Sequence, residues 1–257
     1  MQSSSDGFRP LSCQACLDGA GLDFDFSMAF QPILDAAGRR IFGHEALVRG
    51  PGDETARAVL GRVNDRNRYA FDQACRIKAI GLASRLKGDT MISINFLPNA
   101  VYRPETCIRA TLEAAERFQF PTGRILFEVT EGERVDDPKH LIGIFAEYHR
   151  HGFKVAIDDF GAGYAGLNLL AEFQPDYLKL DMALTRDVDK DRARRAIVRG
   201  VLSVAKELDI QVIAEGVESL GEYQCLRDLG VTLFQGYLFA RPAYEQLMGI
   251  GDVKLPG

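Results

Sequence analysis

The sequence predicts one closed α/β barrel. The chain has 257 residues, 46% hydrophobic and 26% charged, the balance of a soluble globular protein at a length usual for a single barrel. Short apolar runs alternate with helical patterns, and eight such runs in about 230 residues suit a closed barrel better than an open sheet. Most of the runs are continuous rather than alternating, as strands covered on both faces must be.

Residues 1–25 are polar and irregular and read as an N-terminal extension, 26–250 as the folded domain and 251–257 as a tail. Ser27–Leu34 and Ile41–Val48 are the first expected strands. The helix Tyr69–Leu86, stopped by Gly88, leads to the strand Met91–Phe96. Cys107–Phe118 then leads to Ile125–Val129, and Pro138–His151, stopped by Gly152, to Lys154–Ile157. Tyr177–Leu180, the helix Arg192–Leu208, Gln211–Ala214 and a short strand Leu233–Leu238 complete the series. The stretch Asp187–Arg199 mixes both signs of charge as it enters a helix and reads as a solvated face. No repeat, low-complexity tract or Pro/Gly/Ser linker divides the chain.

Several function classes drop out. The net charge of -5 argues against duplex nucleic acid as a partner, which needs a basic face. No apolar run approaches the roughly 18 residues of a membrane span. The start, MQSSSDGFRPLSCQACLDGA, lacks the basic and apolar segments of a secretory signal. The five cysteines, Cys13, Cys16, Cys75, Cys107 and Cys225, are scattered and odd in number, which fits a reducing cytoplasm. Cys13 and Cys16 form a CxxC. Without a second pair or a nearby histidine they close no zinc site and read as ordinary thiols.

Polar groups fall at the ends of consecutive strands. Glu45 lies in the second, Asn95 closes the third, and Glu128 lies in the fourth with Thr130 and Glu131 just beyond. Asp158 and Asp159 follow the fifth, Lys179 lies in the sixth, Glu215 follows the seventh, and Gln235 sits on the last. Strand C-termini of a barrel converge on one face, so these residues would meet there. Any one strand-terminal acid could be a helix cap or turn residue. Seven strands in succession are poorly explained that way, because charges are rarely buried unpaired.

Five carboxylates at one mouth need a cation. Two like charges about 4 Å apart repel by roughly 4 kcal/mol at an effective dielectric near 20. Oxygen ligands with one amide and no His or Cys suit Mg²⁺ or Mn²⁺ rather than Zn²⁺. Five acids exceed the need of one ion, and adjacent Asp158 and Asp159 could serve two, as in two-ion phosphoester hydrolysis. Lys179 is either a counterion or a group that orients or deprotonates the attacking water.

The blocks around these residues are Phe30-Gln31-Pro32-Ile33, Glu45-Ala46-Leu47-Val48-Arg49, the segment from Asn95 to Pro98, and Glu128-Val129-Thr130-Glu131. They continue with Asp158-Asp159-Phe160-Gly161, Asp176 to Asp181, Ala214 to Glu218, and Gln235-Gly236-Tyr237-Leu238-Phe239. Together, from about residue 26 to 245, they resemble the EAL-domain cyclic di-GMP phosphodiesterases. That resemblance implies a modified TIM (β/α)8 barrel with an antiparallel first strand, and Mg²⁺- or Mn²⁺-dependent hydrolysis of cyclic di-GMP to linear pGpG. It implies one metal held by Glu45, Asn95, Glu128 and Asp158, and a second held by Asp158, Asp159 and Glu215. Lys179 and Gln235 would position or activate water, and Glu131 would brace the loop after the fifth strand. Gln31, Leu47, Arg49 and Asp181 would bind substrate, Arg49 through a phosphate, in keeping with the guanidinium fork. A homodimer is also implied.

One stretch departs from the family pattern. Ala162-Gly163-Tyr164-Ala165-Gly166-Leu167 lacks three hydroxyls of the usual loop, which the family links to dimerisation and regulation. Gly161 to Gly166 also spells GxGxxG, with Asp181 placed as a dinucleotide fold would want. Asp158 and Asp159 directly before it would repel a pyrophosphate. His44-Glu45 begins HExxH, but Val48 ends that reading. His149 and His151 read as surface groups at a helix end. The rival function is a cyclic di-GMP receptor or protein-binding module without catalysis, which missing metal ligands would mark. None is missing. No sensory or cyclase segment accompanies the domain, as expected of a stand-alone enzyme or an excised module.

Overall fold

A computed structural model describes residues 22–101, 103–131, 138–163 and 166–255. Cys13, Cys16, the extension up to residue 21, and Tyr164 and Ala165 of the glycine-rich loop lie outside the described residues. Eight strands close a barrel: β1 Ser27–Asp35, β2 Arg40–Arg49, β3 Met91–Asn95, β4 Ile125–Thr130, β5 Lys154–Phe160, β6 Tyr177–Leu180, β7 Gln211–Ala214 and β8 Leu233–Phe234. From β2 to β8 neighbours run parallel, while β1 lies antiparallel between β2 and β8 and seals the ring. A ninth strand, β9 Ala243–Tyr244, which the sequence did not suggest, pairs with β1 outside the ring. The fold is a modified TIM barrel.

The helices are α1 Ala56–Leu60, α2 Arg68–Arg85, α3 Pro104–Arg117, α4 Pro138–Arg150, α5 Gly166–Glu172, α6 Met182–Thr185, α7 Arg192–Glu207 and α8 Leu220–Asp228. The short α1, α5, α6 and α8 are too brief to show a clear 3.6-residue period. Capping still marks several starts: Thr55 caps α1 and Asp181 caps α6 with their side chains, and Ser219 and Glu222 form a capping box on α8. None of the described helices is long and apolar enough to cross a membrane.

The last strand is shorter than expected. It stops at Phe234 because the chain turns at Gly236, where a Cβ would overlap the Val217 backbone. Gln235 therefore follows the strand rather than sitting on it. Conversely, β5 runs on through Asp158 and Asp159 to Phe160, across a register shift between Ile157 and Phe160. Asp159 takes a φ of 53°, a left-handed conformation that a short polar side chain tolerates. This bulge turns successive aspartates toward the same end of the barrel.

Ile33, Leu126, Ala156, Tyr177, Ile213 and Leu233, one from each of six strands, form a single buried cluster that fills the barrel beneath its mouth. His149 and His151 sit at the end of α4 as expected, but carboxylates rather than helix carbonyls hold them, Asp176 at 2.8 Å and Glu147 at 3.1 Å. Cys75 and Cys107 are buried, Cys225 is half-buried, and all three are unpaired among the described residues.

An ionic knot lies between α2 and the sheet. Arg76 and Asp72 pair at 2.7 Å with side chains 0% and 1% exposed. The guanidinium also donates to the Tyr148 hydroxyl at 2.7 Å and lies against the rings of Phe96, Phe127 and Tyr148. Removing one partner strands the other charge in a dry core. Arg76→Ala is expected to lower the unfolding free energy by about 3–5 kcal/mol, read by urea titration. A loss below about 1 kcal/mol would show that the pair is not desolvated.

Candidate active site at the barrel mouth

The C-terminal ends of the strands build one acidic mouth. Register brings the groups level: Gln31 sits opposite Glu45, Asn95 opposite Glu128, and Thr130 opposite Asp158. A cavity of about 310 Å³ is lined by Gln31, Glu45, Asp158, Asp159, Glu215 and Gln235, with Asp181, Met182, Glu218 and Tyr237 at its edge. Larger grooves of about 640, 640 and 340 Å³ lie elsewhere, one at the opposite end of the barrel, and none of the three gathers convergent carboxylates.

Lys179 stands at the centre. Its ammonium lies 2.7 Å from Glu215, 2.9 Å from Glu128, 3.0 Å from Asp158 and 3.7 Å from Glu45. The side chain is 1% exposed, so the position is tenable only because the acids surround it. Burial alone would lower the pKa of Lys179. The combined field of Asp158, Glu128, Glu215 and Glu45 outweighs burial and holds it well above the ordinary lysine value.

The acids carry the opposite strain. Burial pushes Glu128 up to about 8, with Lys179 opposing and Glu45 and Asp158 adding to the rise. Burial likewise raises Glu215 well above the usual carboxylate range, against the pull of Lys179. Asp159 is raised to about 6 by burial and by the charges of Asp158 and Asp181. One ammonium is thus too little cation for this many carboxylates.

Neutral groups orient the acids. Glu45 accepts from the Asn95 amide at 3.1 Å and from the Gln235 amide at 2.6 Å, and Gln235 also donates to Gln31 at 3.2 Å. Glu128 Oε1 and Gln235 Oε1 are buried acceptors without a hydrogen-bond partner among the described residues. Carboxylate oxygens of Glu45, Glu128 and Asp158 lie within 4.8 Å of one another, and so do those of Asp158, Asp159 and Glu215. Orphaned acceptors beside two oxygen-rich triads that share Asp158 fit a hard divalent cation.

The remaining expected residues lie around this centre. Glu131 reaches across to accept the Gly161 and Gly163 N–H groups at 2.7 and 3.3 Å. Asp181 caps α6 by accepting from Ala183 N–H at 2.8 Å while also lining the cavity. Leu47 and Arg49 are not among the lining residues. Arg49 donates to the Val48 carbonyl at 2.8 Å and lies 3.5 Å from Asp53. His44, beside Glu45, is spent on Thr90 and the Met248 carbonyl, and burial lowers its pKa.

Sequence reasoning missed Met182, Glu218 and Tyr237 at the edge. Glu218 belongs to a quoted block but follows a turn rather than a strand, and Arg186 holds it in a two-pronged pair at 2.7 and 3.0 Å. Sequence also missed Thr185, whose buried hydroxyl donates to the Glu215 carbonyl at 2.6 Å.

The family described as EAL domain matches residues 17–242. Over 138 residues the chain is 36% identical to the cyclic di-GMP phosphodiesterase PdeR of Escherichia coli (strain K12), a stretch covering 54% of this chain and 21% of PdeR. It resembles the c-di-GMP-bound crystal structure of a standalone versatile EAL protein from Vibrio cholerae O395, at 53% identity and a TM-score of 0.87. That match covers 91% of this chain and 98% of that one. It also resembles the manganese/cy-diGMP complex of Klebsiella pneumoniae BlrP1, at 35% identity, a TM-score of 0.82, and coverage of 86% and 56%. The chain spans about a fifth to about half of the length of the curated relatives it matches.

If Lys179 is the cation that keeps these acids together, Lys179→Met leaves them bare. In chelator, its unfolding free energy is expected to fall by about 3–5 kcal/mol. Millimolar Mn²⁺ should restore a large part of that loss, since a cation bound only by the folded state stabilises it. Urea unfolding with and without Mn²⁺ reads both effects. Equal stability in chelator would contradict the central role of the ammonium.

Proposed function

The chain belongs to the EAL-domain family, and on that premise we propose that it hydrolyses cyclic di-GMP to linear pGpG with two divalent ions, Mg²⁺ or Mn²⁺. The observation that supports this most is the pair of carboxylate triads sharing Asp158 around a single ammonium. Once all five carboxylates are ionised, Lys179 leaves four negative charges, the charge that two divalent cations cancel. Glu45, Asn95, Glu128 and Asp158 would hold one ion, and Asp158, Asp159 and Glu215 the other. When bound, the ions would polarise the phosphoryl oxygens and offset the charge that builds up during in-line displacement.

The protein's own groups supply the rest. Lys179 and Gln235 would orient the attacking water, Lys179 by donating to it and Gln235 by accepting from it through the amide oxygen that has no other partner among the described residues. The water oxygen bonds to phosphorus, the phosphorus–O3′ bond breaks, and the 3′-oxygen takes up the proton, which leaves a 5′-phosphate on the opened dinucleotide. Gln31, Leu47 and Asp181 bind substrate. Arg49 swings from Asp53 to a phosphate, a move that a long 3.5 Å pair with an exposed aspartate opposes weakly. Glu131 braces the loop after β5, so that Asp158 and Asp159 keep their positions through the bulge.

We also propose that the chain pairs with a second copy through α7. Ile197 and Val204 are exposed on that helix, at 51% and 37%, and Gly200 between them has open space where a Cβ would stand. An antiparallel pairing centred on Gly200 lets the helices approach closely and brings Arg192 of one copy near Glu207 of the other. Cys75, Cys107 and Cys225, free among the described residues, support a reducing, cytoplasmic setting.

Incubation with cyclic di-GMP and Mg²⁺ or Mn²⁺ is expected to yield pGpG, with Glu45→Ala at least 100-fold slower and still folded. Ca²⁺ alone is expected to give little turnover, because it takes more ligands at longer distances. Tight binding without turnover in either metal would point instead to a receptor. Ile197→Asp is expected to shift the species seen by light scattering from dimer to monomer. An unchanged dimer would place the interface elsewhere.

A further inference from the structure

We propose that Asp72 and Arg76, the buried pair on α2, are positioning residues for the Asn95 corner of the catalytic mouth. One oxygen of Asp72 holds Arg76 at 2.7 Å. The other accepts the Leu97 N–H at 2.9 Å. Leu97 lies two residues beyond Asn95, just where the chain leaves β3. Between them, Phe96 N–H donates to the Glu128 carbonyl at 3.0 Å, and the Phe96 ring lies 5.5 Å from the Arg76 guanidinium. The segment is thus gripped by β4 on one side and by α2 on the other. Asn95, at the start of that grip, donates to Glu45 at 3.1 Å.

Stability alone does not account for this pair. A fully buried ion pair is commonly matched or exceeded in stability by apolar side chains of similar volume, because both charges lose their water. Here the aromatic box of Phe96, Phe127 and Tyr148 would accept such a replacement readily. What an apolar pair cannot supply is an acceptor for the Leu97 N–H. Arg76 keeps Asp72 aimed, Asp72 fixes Leu97, and the fixed backbone sets the direction of the Asn95 amide. Glu45 is then held in the direction that the first triad requires. Partners of this outer kind commonly change metal affinity by about 10–100-fold.

This inference rests on reading the mouth as a divalent-ion phosphodiesterase site, and the experiment separates the two. Two double variants remove the buried charges together. Asp72→Asn/Arg76→Met keeps an oxygen to accept from Leu97. Asp72→Leu/Arg76→Met does not. Each is compared with wild type by thermal midpoint, by calorimetric titration of Mn²⁺ alone, and by kcat and KM for cyclic di-GMP.

The Leu/Met protein is expected to melt within a few degrees of wild type. It is expected to bind its tighter Mn²⁺ about 10-fold or more weakly and to lose about 10-fold in kcat, with KM within threefold. The Asn/Met protein is expected to recover Mn²⁺ affinity and kcat to within about threefold of wild type. Should the Leu/Met protein fail to fold, Asp72→Ala/Arg76→Met takes its place. Wild-type Mn²⁺ affinity in the variant lacking the acceptor would reduce the pair to a core ion pair and overturn the proposal. Equal impairment of both double variants would do the same. If wild type binds Mn²⁺ but turns nothing over, the phosphodiesterase reading fails, while the Mn²⁺ titrations still decide the role of the pair.

Discussion

Everything at the barrel mouth depends on one electrostatic constraint: more carboxylates converge than the protein's own cations can neutralise. Lys179 is the only ammonium in contact with them among the described residues, and it touches four at once. Burial raises Glu128, Glu215 and Asp159 from their ordinary values, so the site stores unfavourable energy until more positive charge arrives. A protein maximising stability would replace several of these acids. Their convergence from consecutive strand ends leaves two carboxylate triads that could hold metal ions.

The barrel supplies the geometry for this at modest backbone cost. The antiparallel β1 brings Gln31 into register with Glu45 on one side and places it within reach of Gln235, just beyond β8, on the other. The break after Phe234, enforced by the close approach of Gly236 to Val217, turns Gln235 inward where a longer strand would have carried it past. The bulge in β5 presents Asp158 and Asp159 to different carboxylate neighbours from adjacent positions. Irregularities in the strands, rather than their regular parts, give the mouth its chemistry.

The acidic mouth was legible in the sequence because charge at the end of an apolar run has few innocent explanations. Eight strands were legible for the same reason, since continuous apolar runs with turn signals leave little choice. The buried pair on α2 was not. In Arg68–Arg85, Asp72, Gln73 and Arg76 look like the wet face of an amphipathic helix, yet all three are buried, with Arg76 against Phe96, Phe127 and Tyr148. The i,i+4 spacing of Asp72 and Arg76 reads as an ordinary surface pair, because the partners that mark them as buried, the Leu97 N–H and the Tyr148 hydroxyl, lie 25 and 72 positions away. Glu218 and Thr185 escaped notice because their partners, Arg186 and the Glu215 carbonyl, come from neighbouring loops rather than from strand ends.

The central claim is that two cations share Asp158, and the most direct test is the stoichiometry of Mn²⁺ binding in the absence of substrate. Calorimetric titration should give two ions per chain for the wild type, and Asp158→Asn should weaken both together. A single ion per chain, or a pair of which Asp158→Asn disturbs neither, would contradict it.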